Sequence, residues 1–484
     1  MGFFIYMSDQ DFLYWSGKKL LKAFKSKELS PVEVTKASLE RANHIQTECN
    51  AFTDFFEKQA IDLALKSEKV FLDNAQEPRL LEGIPFAIKE EFAFKNSCRS
   101  SSSKIFKDRI DNYTDVYIQR LLDQGSIPLF KTTTPEFCLL GTTWSDLHGI
   151  TTNPWNKKYT PGGSSGGSGA ALATGACAIA SGSDIGGSIR IPAAACGVFG
   201  YKPPYGRNPE VPYGNLDYYS HSGPMARSVE DIILMQLSTA GMHNQDIASM
   251  PKPEDFDGNS NLKNIKIAWS DHLCGFEVED DIVTNMKNAL NLLEENGAIV
   301  ECVDPKLPDD ILDAAGTYLT ALWGTSLKEI AKGKEELLCA YTQKFIEASK
   351  EKTLSELVHC NNVAWDAYSK FGPIFDKYDA FICPTNAVTG IPADHGYPNL
   401  EYVFNGETRK TEETGDESMW LTTPFNMLSR LPVMSAPTGF ASNGVPTGMQ
   451  IIGKAYDDNT VFRVSLGYEK AIPWLFDKNN RPKL

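Results

Sequence analysis

Residues 160–200 are built almost entirely from small side chains: TPGGSSGGSGAALATGACAIASGSDIGGSIRIPAAACGVFG. Asp184 and Arg190 are the only charged residues in this stretch. Its first ten residues have the composition of a flexible Gly/Ser linker. The remaining residues of the stretch have the composition of a protein core, because small residues let two backbones approach closely. The glycine run therefore leads into a buried element and is unlike a linker between two domains.

Composition bounds the class of protein. The 484 residues are 42% hydrophobic and 23% charged, as in an ordinary soluble globular protein. The formal net charge of −15 predicts an acidic surface, which disfavours nucleic acid as a partner. The ten cysteines form no C-x-x-C pair and no zinc-ligand pattern, so we expect reduced thiols and no metal. With no signal-peptide pattern and no run of eighteen apolar residues, the expectation is a cytoplasmic protein without a membrane span.

Local patterns predict alternating strands and helices. LSPVEVTKASLERANHI begins a helix, with Ser30 as cap, Pro31 in the first turn and Glu33 completing a capping box. The strand–helix–strand rhythm of residues 263–303 predicts a largely parallel sheet with helices on both faces. Residues 306–375 are helical in pattern and are predicted to form a cap or insertion. We expect one domain over 1–484, with its core at about 10–300 and 376–475.

Three catalytic motifs match parts of the chain, and none of them is convincing. A phosphate-binding P-loop would need Lys where Ser168 stands, so this interpretation fails. The nucleophile-elbow pattern G-x-S-x-G matches twice, at Ser164 and Ser165, but the polar NKKYTPGG precedes it instead of an apolar strand. The pattern S-x-x-K occurs several times in unrelated places, as chance would give. No downstream histidine lies in an informative motif.

Two serines and a lysine offer another arrangement. Ser164 and Ser188 flank an Ala/Gly helix and the short strand CAIAS, which would bring both loops to one end of a sheet. Lys89 ends the apolar strand GIPFAIK and could reach the same edge. Burial disfavours a charged amine, and a neutral amine accepts a proton. These residues could therefore form a base-assisted nucleophile without histidine.

The same motifs resemble the amidase signature family. The resemblance lies in the small-residue stretch continued through YKPPYGR, and in GIPFAIKE, TTNPWN, HSGPMARSVEDI and PTGMQIIGKAYDDNTVFR. It covers nearly the whole chain, with residues 305–415 the least alike. It implies an α/β fold in which a large mixed sheet is flanked by helices on both faces. It also implies Ser188 as nucleophile, Ser164 as a bridging serine with a cis peptide bond, and Lys89 as general base.

The resemblance extends to the surroundings of the two serines. The implied oxyanion hole consists of the backbone N–H groups of Ile185, Gly186, Gly187 and Ser188. The implied supporting residues are Gly163, Ser165, Asp184 and Arg190. Substrate contacts are expected from the neighbouring apolar segments, at Cys138, Leu139, Trp144 and Trp420.

The expected function is hydrolysis of a linear carboxylic amide, other than a peptide bond, to acid and amine. No cofactor is expected; the partner would be a small-molecule amide, and the chain a monomer or homodimer. Departures from the family pattern, which are Glu90 and Glu91 after the lysine and Trp144 in place of an acid, favour an apolar or aromatic amide. Glu417 is near, but out of register with, the acid that would hold glutamine. The alternatives are the glutamine-hydrolysing subunit of a tRNA-dependent amidotransferase, a hydrolase of cyclic amides, carbamates or esters, and a catalytically silent binding protein.

Overall fold

The structure is a computed structural model. It describes residues 11–73, 75–210, 214–253, 256–273, 275–394, 400–411, 419–472 and 476–484.

Eleven strands form the main sheet, in the order β1-β3-β2-β6-β8-β7-β14-β15-β11-β9-β10, and two hairpins stand apart from it, β4–β5 and β12–β13. In chain order the strands are β1 Phe52–Phe55, β2 Pro85–Lys89, β3 Ile127–Thr132, β4 Trp144–Ser145, β5 Gly149–Ile150, β6 Ile179–Asp184, β7 Phe199–Lys202, β8 His221–Ala226, β9 Lys266–Trp269, β10 Ile299–Cys302, β11 Ala380–Pro384, β12 Glu401–Phe404, β13 Glu407–Lys410, β14 Val433–Phe440 and β15 Pro446–Gly453.

The large mixed sheet is confirmed, whereas the expectation of a largely parallel sheet is wrong. Parallel pairing joins β2 to β3 and β6, and β9 to β10 and β11. The other neighbours in the sheet pair antiparallel, including β6 with β8 and β14 with β15. The rhythm of residues 263–303 did predict the parallel pair β9–β10. Many of the antiparallel partners lie far apart in sequence, so no such local rhythm marks them.

Helices cover both faces of the sheet. The α-helices of the described residues are α1 Gly17–Ser26, α2 Pro31–Cys49, α3 Glu57–Leu72, α4 Val116–Asp123, α5 Gly166–Ala173, α6 Arg190–Cys196, α7 Val229–Thr239, α8 Asp280–Glu295, α9 Ile311–Leu319, α10 Thr325–Ala331, α11 Ala340–Ser349, α12 Leu354–Phe371, α13 Pro424–Met427 and α14 Asp458–Ala471. Helix α2 begins as predicted, with Ser30 and Glu33 forming a capping box. Within the described residues, no helix is both long and apolar enough to cross a membrane.

The side chains of β2 alternate between the two faces of the sheet. Phe86 and Ile88 belong to the apolar cluster that contains α7 and α8, whereas Ala87 belongs to the cluster that contains α5 and α6. Because side chains two apart in a strand share a face, Lys89 leaves the strand on the side of α5. The small residues of α5 and α6 let both helices pack closely at this point.

The helical pattern of residues 306–375 is confirmed by α9, α10, α11 and α12, with a π-helical turn at Thr320–Gly324. These helices supply Ile311, Tyr318, Val363 and Phe371 to a core shared with β11. That the whole chain forms one domain stays a prediction.

Candidate active site

Lys89, the last residue of β2, is fully buried and surrounded by hydroxyl groups. Its Nζ donates hydrogen bonds to Ser164 Oγ at 2.8 Å and to Ser183 Oγ at 2.7 Å. Its backbone N–H donates to Ser181 Oγ at 2.8 Å. The lysine and the first serine predicted from the sequence therefore meet. The sequence analysis did not single out Ser183. Ser181 and Ser183 are two residues apart on one strand, so their side chains lie on the same face of the sheet, and this spacing could have indicated Ser183.

Ser164 lies just before α5, in the glycine run. Its peptide bond with Gly163 is cis, as the resemblance implied. A Cβ atom at Gly163 would lie 2.5 Å from Thr142 O and 2.7 Å from Leu140 O, so no side chain fits there. The next residue, Ser165, donates its N–H to Ser188 O at 3.2 Å, which ties the two serine-bearing loops together.

Ser188 follows β6 and stands one residue before the cap of α6, where it is 7% exposed. The turn before it is held on one side by Asp184, which accepts the N–H of Gly187 at 2.9 Å and that of Ile189 at 3.2 Å. On the other side, Thr422 Oγ1 donates to Gly186 O at 2.6 Å. These contacts fix the backbone of the turn that precedes Ser188.

One of the four N–H groups assigned to an oxyanion hole has another partner. Gly187 donates to Asp184, and this N–H is not available to a substrate in this conformation. The N–H groups of Ile185, Gly186 and Ser188 make no hydrogen bond to any described part of the chain. The expectation that Gly187 is an oxyanion donor is thereby corrected. Its φ is +131° and the Thr422 side chain occupies the place where a Cβ atom would be, so its backbone shapes the turn.

Asp184 and Arg190 form an ion pair with both side chains fully buried. Arg190 donates from Nε at 2.9 Å and Nη2 at 2.8 Å, and Asn426 Nδ2 donates to the same carboxylate at 2.8 Å. Burial by itself raises the pKa of Asp184, but the charge and hydrogen bonds of Arg190 and the hydrogen bond of Asn426 hold it well below its usual range. Arg190 also donates to Gln450 Oε1 at 2.6 Å, so the pair connects the turn to β15.

We expect Asp184→Asn to destabilise the fold by about 3–5 kcal/mol, because it leaves the Arg190 charge buried without its carboxylate. The pKa of Asp184 is lower in the folded state than in the unfolded state. Its contribution is therefore full near neutral pH, and the difference from the variant should shrink as acid protonates the carboxyl. Urea unfolding at several pH values measures both effects. Asp366→Asn is the control: its pair with Lys370 is 2.8 Å long and 40% exposed, so a loss of about 0.5 kcal/mol or less is expected. Equal losses for the two variants would contradict the account.

The two glutamates after Lys89 have different environments. Glu90 is buried and turns away, accepting the N–H groups of Ser100 at 2.5 Å and Ser101 at 3.0 Å, and burial raises its pKa. Glu91 faces the lysine, with Oε1 3.6 Å from Lys89 Nζ, and its Oε2 accepts the Cys138 thiol at 2.8 Å. The sequence marked both glutamates only as departures from the family pattern. The structure places one carboxylate beside the lysine.

The four residues expected to contact substrate have different surroundings. Cys138 lies beside Glu91, and burial, followed by the charge of Glu91, raises the pKa of its thiol, so it is a poor nucleophile. Leu139 and Trp144 pack against the helical segment, with the Trp144 ring 4.8 Å from that of Tyr341. Trp144 and Trp420 line one small cavity together with Leu140, Gly141, Thr142 and Met419. Glu417 lies outside the described residues.

Sequence comparison gives one consistent family. A model of the Amidase family matches residues 33–462. Among curated proteins, the chain is 32% identical to a Glutamyl-tRNA(Gln) amidotransferase subunit of Thermosynechococcus vestitus, over 94% of this chain and 98% of the relative. It is 31% identical to the corresponding subunit of Shouchella clausii, over 94% of this chain and 96% of the relative.

Solved structures agree on the fold. A bacterial aryl acylamidase of the amidase signature enzymes matches with a TM-score of 0.87 and 26% identity, covering 95% of this chain and 97% of that one. A Glutamyl-tRNA(Gln) amidotransferase subunit of Thermotoga maritima matches with a TM-score of 0.74 and 25% identity, covering 98% of both. The family model spans the strand that ends at Lys89 and both serine-bearing loops, and the sheet is the one these relatives share. The chain therefore belongs to the amidase signature family, whose enzymes hydrolyse carbon–nitrogen bonds.

Proposed function

We propose that the chain hydrolyses a carboxylic amide through an acyl-enzyme on Ser188, with Ser164 and Lys89 relaying the proton. The observation that carries the proposal is the hydrogen bond of 2.8 Å between a fully buried Lys89 Nζ and Ser164 Oγ. The backbone bond from Ser165 N–H to Ser188 O, which ties the loop of the second serine to that of Ser164, also supports it. A nucleophile next to a base that a third group orients is the arrangement expected for covalent catalysis.

In the proposed reaction Ser188 Oγ attacks the amide carbonyl carbon while its proton passes to Ser164 Oγ. Ser164 in turn gives its own proton to the neutral amine of Lys89. The tetrahedral intermediate collapses when the carbon–nitrogen bond breaks, and the proton returns through Ser164 to the leaving amine. Water then attacks the ester on Ser188 by the same relay, which releases the acid and restores the serine.

The negative oxygen of the intermediate would be stabilised by the N–H groups of Ile185, Gly186 and Ser188. Such donors act best when they are fixed before the reaction. Asp184 and Thr422 fix the turn from both sides, and we assign the pair of Asp184 and Arg190 to this supporting role. Gly163 and Ser165 support the loop of Ser164 in a corresponding way. Gly163 does so through its close contact with the backbone of residues 140 and 142, and Ser165 through the hydrogen bond from its N–H to Ser188 O.

Different observations support two of the expected substrate classes. The curated sequence relatives are Glutamyl-tRNA(Gln) amidotransferase subunits, and they support the glutamine-hydrolysing alternative better than an apolar amide. The wall formed by Leu140, Trp144, Met419 and Trp420, in a cavity that Asp394 also lines, supports an apolar or aromatic amide, as does the fold similarity to an aryl acylamidase. The backbone of this wall approaches the loop of the bridging serine, because Leu140 O occupies part of the place where a side chain of Gly163 would be.

The wall makes the apolar amide our expected substrate. A glutamine on it would desolvate its ammonium and carboxylate groups, which costs several kcal/mol unless both are paired. We expect kcat/KM for an aryl amide to exceed that for glutamine by about tenfold or more, equivalent to about 1.4 kcal/mol in the transition state. The measurement compares a short-chain anilide with glutamine, on the chain expressed alone. A tenfold preference for glutamine would replace the apolar assignment with the amidotransferase one.

Size-exclusion chromatography of the same preparation adds a second readout. A stand-alone hydrolase is expected to be active as a monomer or homodimer. A chain that turns over neither substrate alone, but hydrolyses glutamine once partner chains are added, would belong to an amidotransferase complex.

A further inference from the structure

Helix α11 receives its N-terminal cap from a distant part of the chain. Its own cap residue, Cys339, makes no side-chain capping bond. Glu136 takes this role: its Oε2 accepts the N–H of Cys339 at 2.8 Å and the hydroxyl of Thr342 at 2.5 Å. Glu136 is only 1% exposed, and a negative charge at a helix N-terminus is favourable. The helical segment is thus joined to the loop that begins at Glu136.

The same helix also holds the other end of this loop. The Tyr341 hydroxyl accepts the N–H of Glu136 at 2.6 Å and donates to Trp144 O at 3.0 Å. The Tyr341 ring packs edge-on against the Trp144 ring. Contacts from the first turn of α11 therefore fix both ends of residues 136–144, which we call the wall loop.

Inside the wall loop the backbone takes an unusual path. Phe137 has φ of +50° and Cys138 has φ of +60°, a region that residues other than glycine rarely adopt. Such conformations persist only where the surroundings impose them. The wall loop would relax without its fixed ends.

The middle of the wall loop lies against the loop of the bridging serine. Thr142 O and Leu140 O occupy the place where a side chain of Gly163 would be. Thr143 Oγ1 donates to Gly162 O at 2.8 Å. Ser164 directly follows these two glycines, so a shift of the wall loop moves the hydroxyl that bonds Lys89.

We propose that Glu136 and Tyr341 of the α11 contact are positioning residues for the reaction. They fix the wall loop, the wall loop fixes Gly162 and Gly163, and these glycines fix Ser164 Oγ on Lys89. The inference rests on the proposed function, because that proposal assigns the proton relay to Ser164. By this inference, helix α11 affects the rate at which the substrate acylates Ser188, and not only the affinity for substrate, although it lies outside the reacting groups.

The test compares variants at Glu136 and Tyr341. Glu136→Ala and Tyr341→Phe should each lower kcat by about ten- to a hundredfold, because a displacement of about 1 Å at reacting groups has this effect. Glu136→Gln should stay within about fivefold of wild type, since its amide oxygen still accepts both bonds. The second readout is the rate at which a small fluorophosphonate phosphonylates Ser188 Oγ, with fluoride as the leaving group. The reagent is too small to need the wall, so slower labelling reports the relay itself.

Thr353→Ala is the matched control. Thr353 is the cap residue of the neighbouring helix α12 and forms a capping box with Glu356, but it is exposed and its capping contacts are all local. It should lower the melting temperature to a similar degree and leave kcat within about twofold of wild type. If Glu136→Ala changes only KM or only stability, with labelling at the wild-type rate, the positioning role is overturned. Absence of labelling at Ser188 in the wild-type chain would instead overturn the proposed function.

Discussion

Ser188→Ala should lower kcat by at least about a thousandfold while the fold stays intact, because single removals of an acyl-transfer nucleophile have effects of this size or larger. The substitution removes one oxygen from a side chain that is 7% exposed, so it leaves no cavity of consequence. The proposed oxyanion donors Ile185 and Gly186 remain, and with them a residual rate above that of water. The measurement is kcat on any amide that the wild-type chain turns over, together with the melting temperature.

Ser465→Ala provides the matched control for this prediction. Ser465 is fully buried in α14, and its hydroxyl makes no hydrogen bond within the described part of the chain. Its loss should leave kcat within about twofold, as expected for sites outside the reacting groups. A Ser188→Ala enzyme that keeps more than about a hundredth of wild-type kcat would exclude Ser188 as nucleophile. In that case mass spectrometry of the wild-type acyl-enzyme should find the adduct on another residue.

Sequence patterns located the lysine and the serines because their chemistry depends on local features. Lys89 ends an apolar strand, and Ser164 and Ser188 lie in glycine-bearing loops on either side of α5 and β6. Each feature is readable from a few neighbouring residues, and the family resemblance gave their roles. The cis bond before Ser164 came from the resemblance alone.

Contacts between distant segments could not be predicted in the same way. The hydrogen bond from the Cys339 N–H to Glu136 joins residues 203 positions apart, and no local pattern places Glu136 at the N-terminus of a helix. The antiparallel pairing of β14 with β7 was missed for the same reason. The hydrogen bond from Gly187 to Asp184 is local, but it depends on a positive φ that the sequence IGGS permits without requiring it.

The apolar wall shows a third limit. Trp144 and Trp420 were expected to contact substrate because the segments that carry them are apolar, and the structure does place both rings at one cavity. Composition did not reveal that the Trp144 ring is also packed against Tyr341. Trp144 belongs both to the packed core and to the wall of the cavity. A variant of Trp144 can therefore change stability as well as substrate preference, and both have to be measured.

Lys89→Arg should be inactive, with kcat reduced by about a hundred- to ten-thousandfold, which is the usual contribution of a general base. Arginine keeps the positive charge but does not lose its proton in proteins, so it cannot accept the proton that Ser164 passes on. The measurement is kcat of the wild-type chain and of the variant on the same amide, together with the melting temperature of each.

Lys131 gives the control that separates base chemistry from burial of a lysine. It lies on β3, in register with Ile88, and is as buried as Lys89. Its Nζ donates to two backbone carbonyls, of Phe92 at 3.0 Å and Cys98 at 2.8 Å, instead of to serines. Lys131→Arg should therefore cost stability, while kcat per folded molecule persists. If Lys89→Arg loses no more activity per folded molecule than this control, the proton does not pass through Lys89 and the relay with Ser164 has to be abandoned.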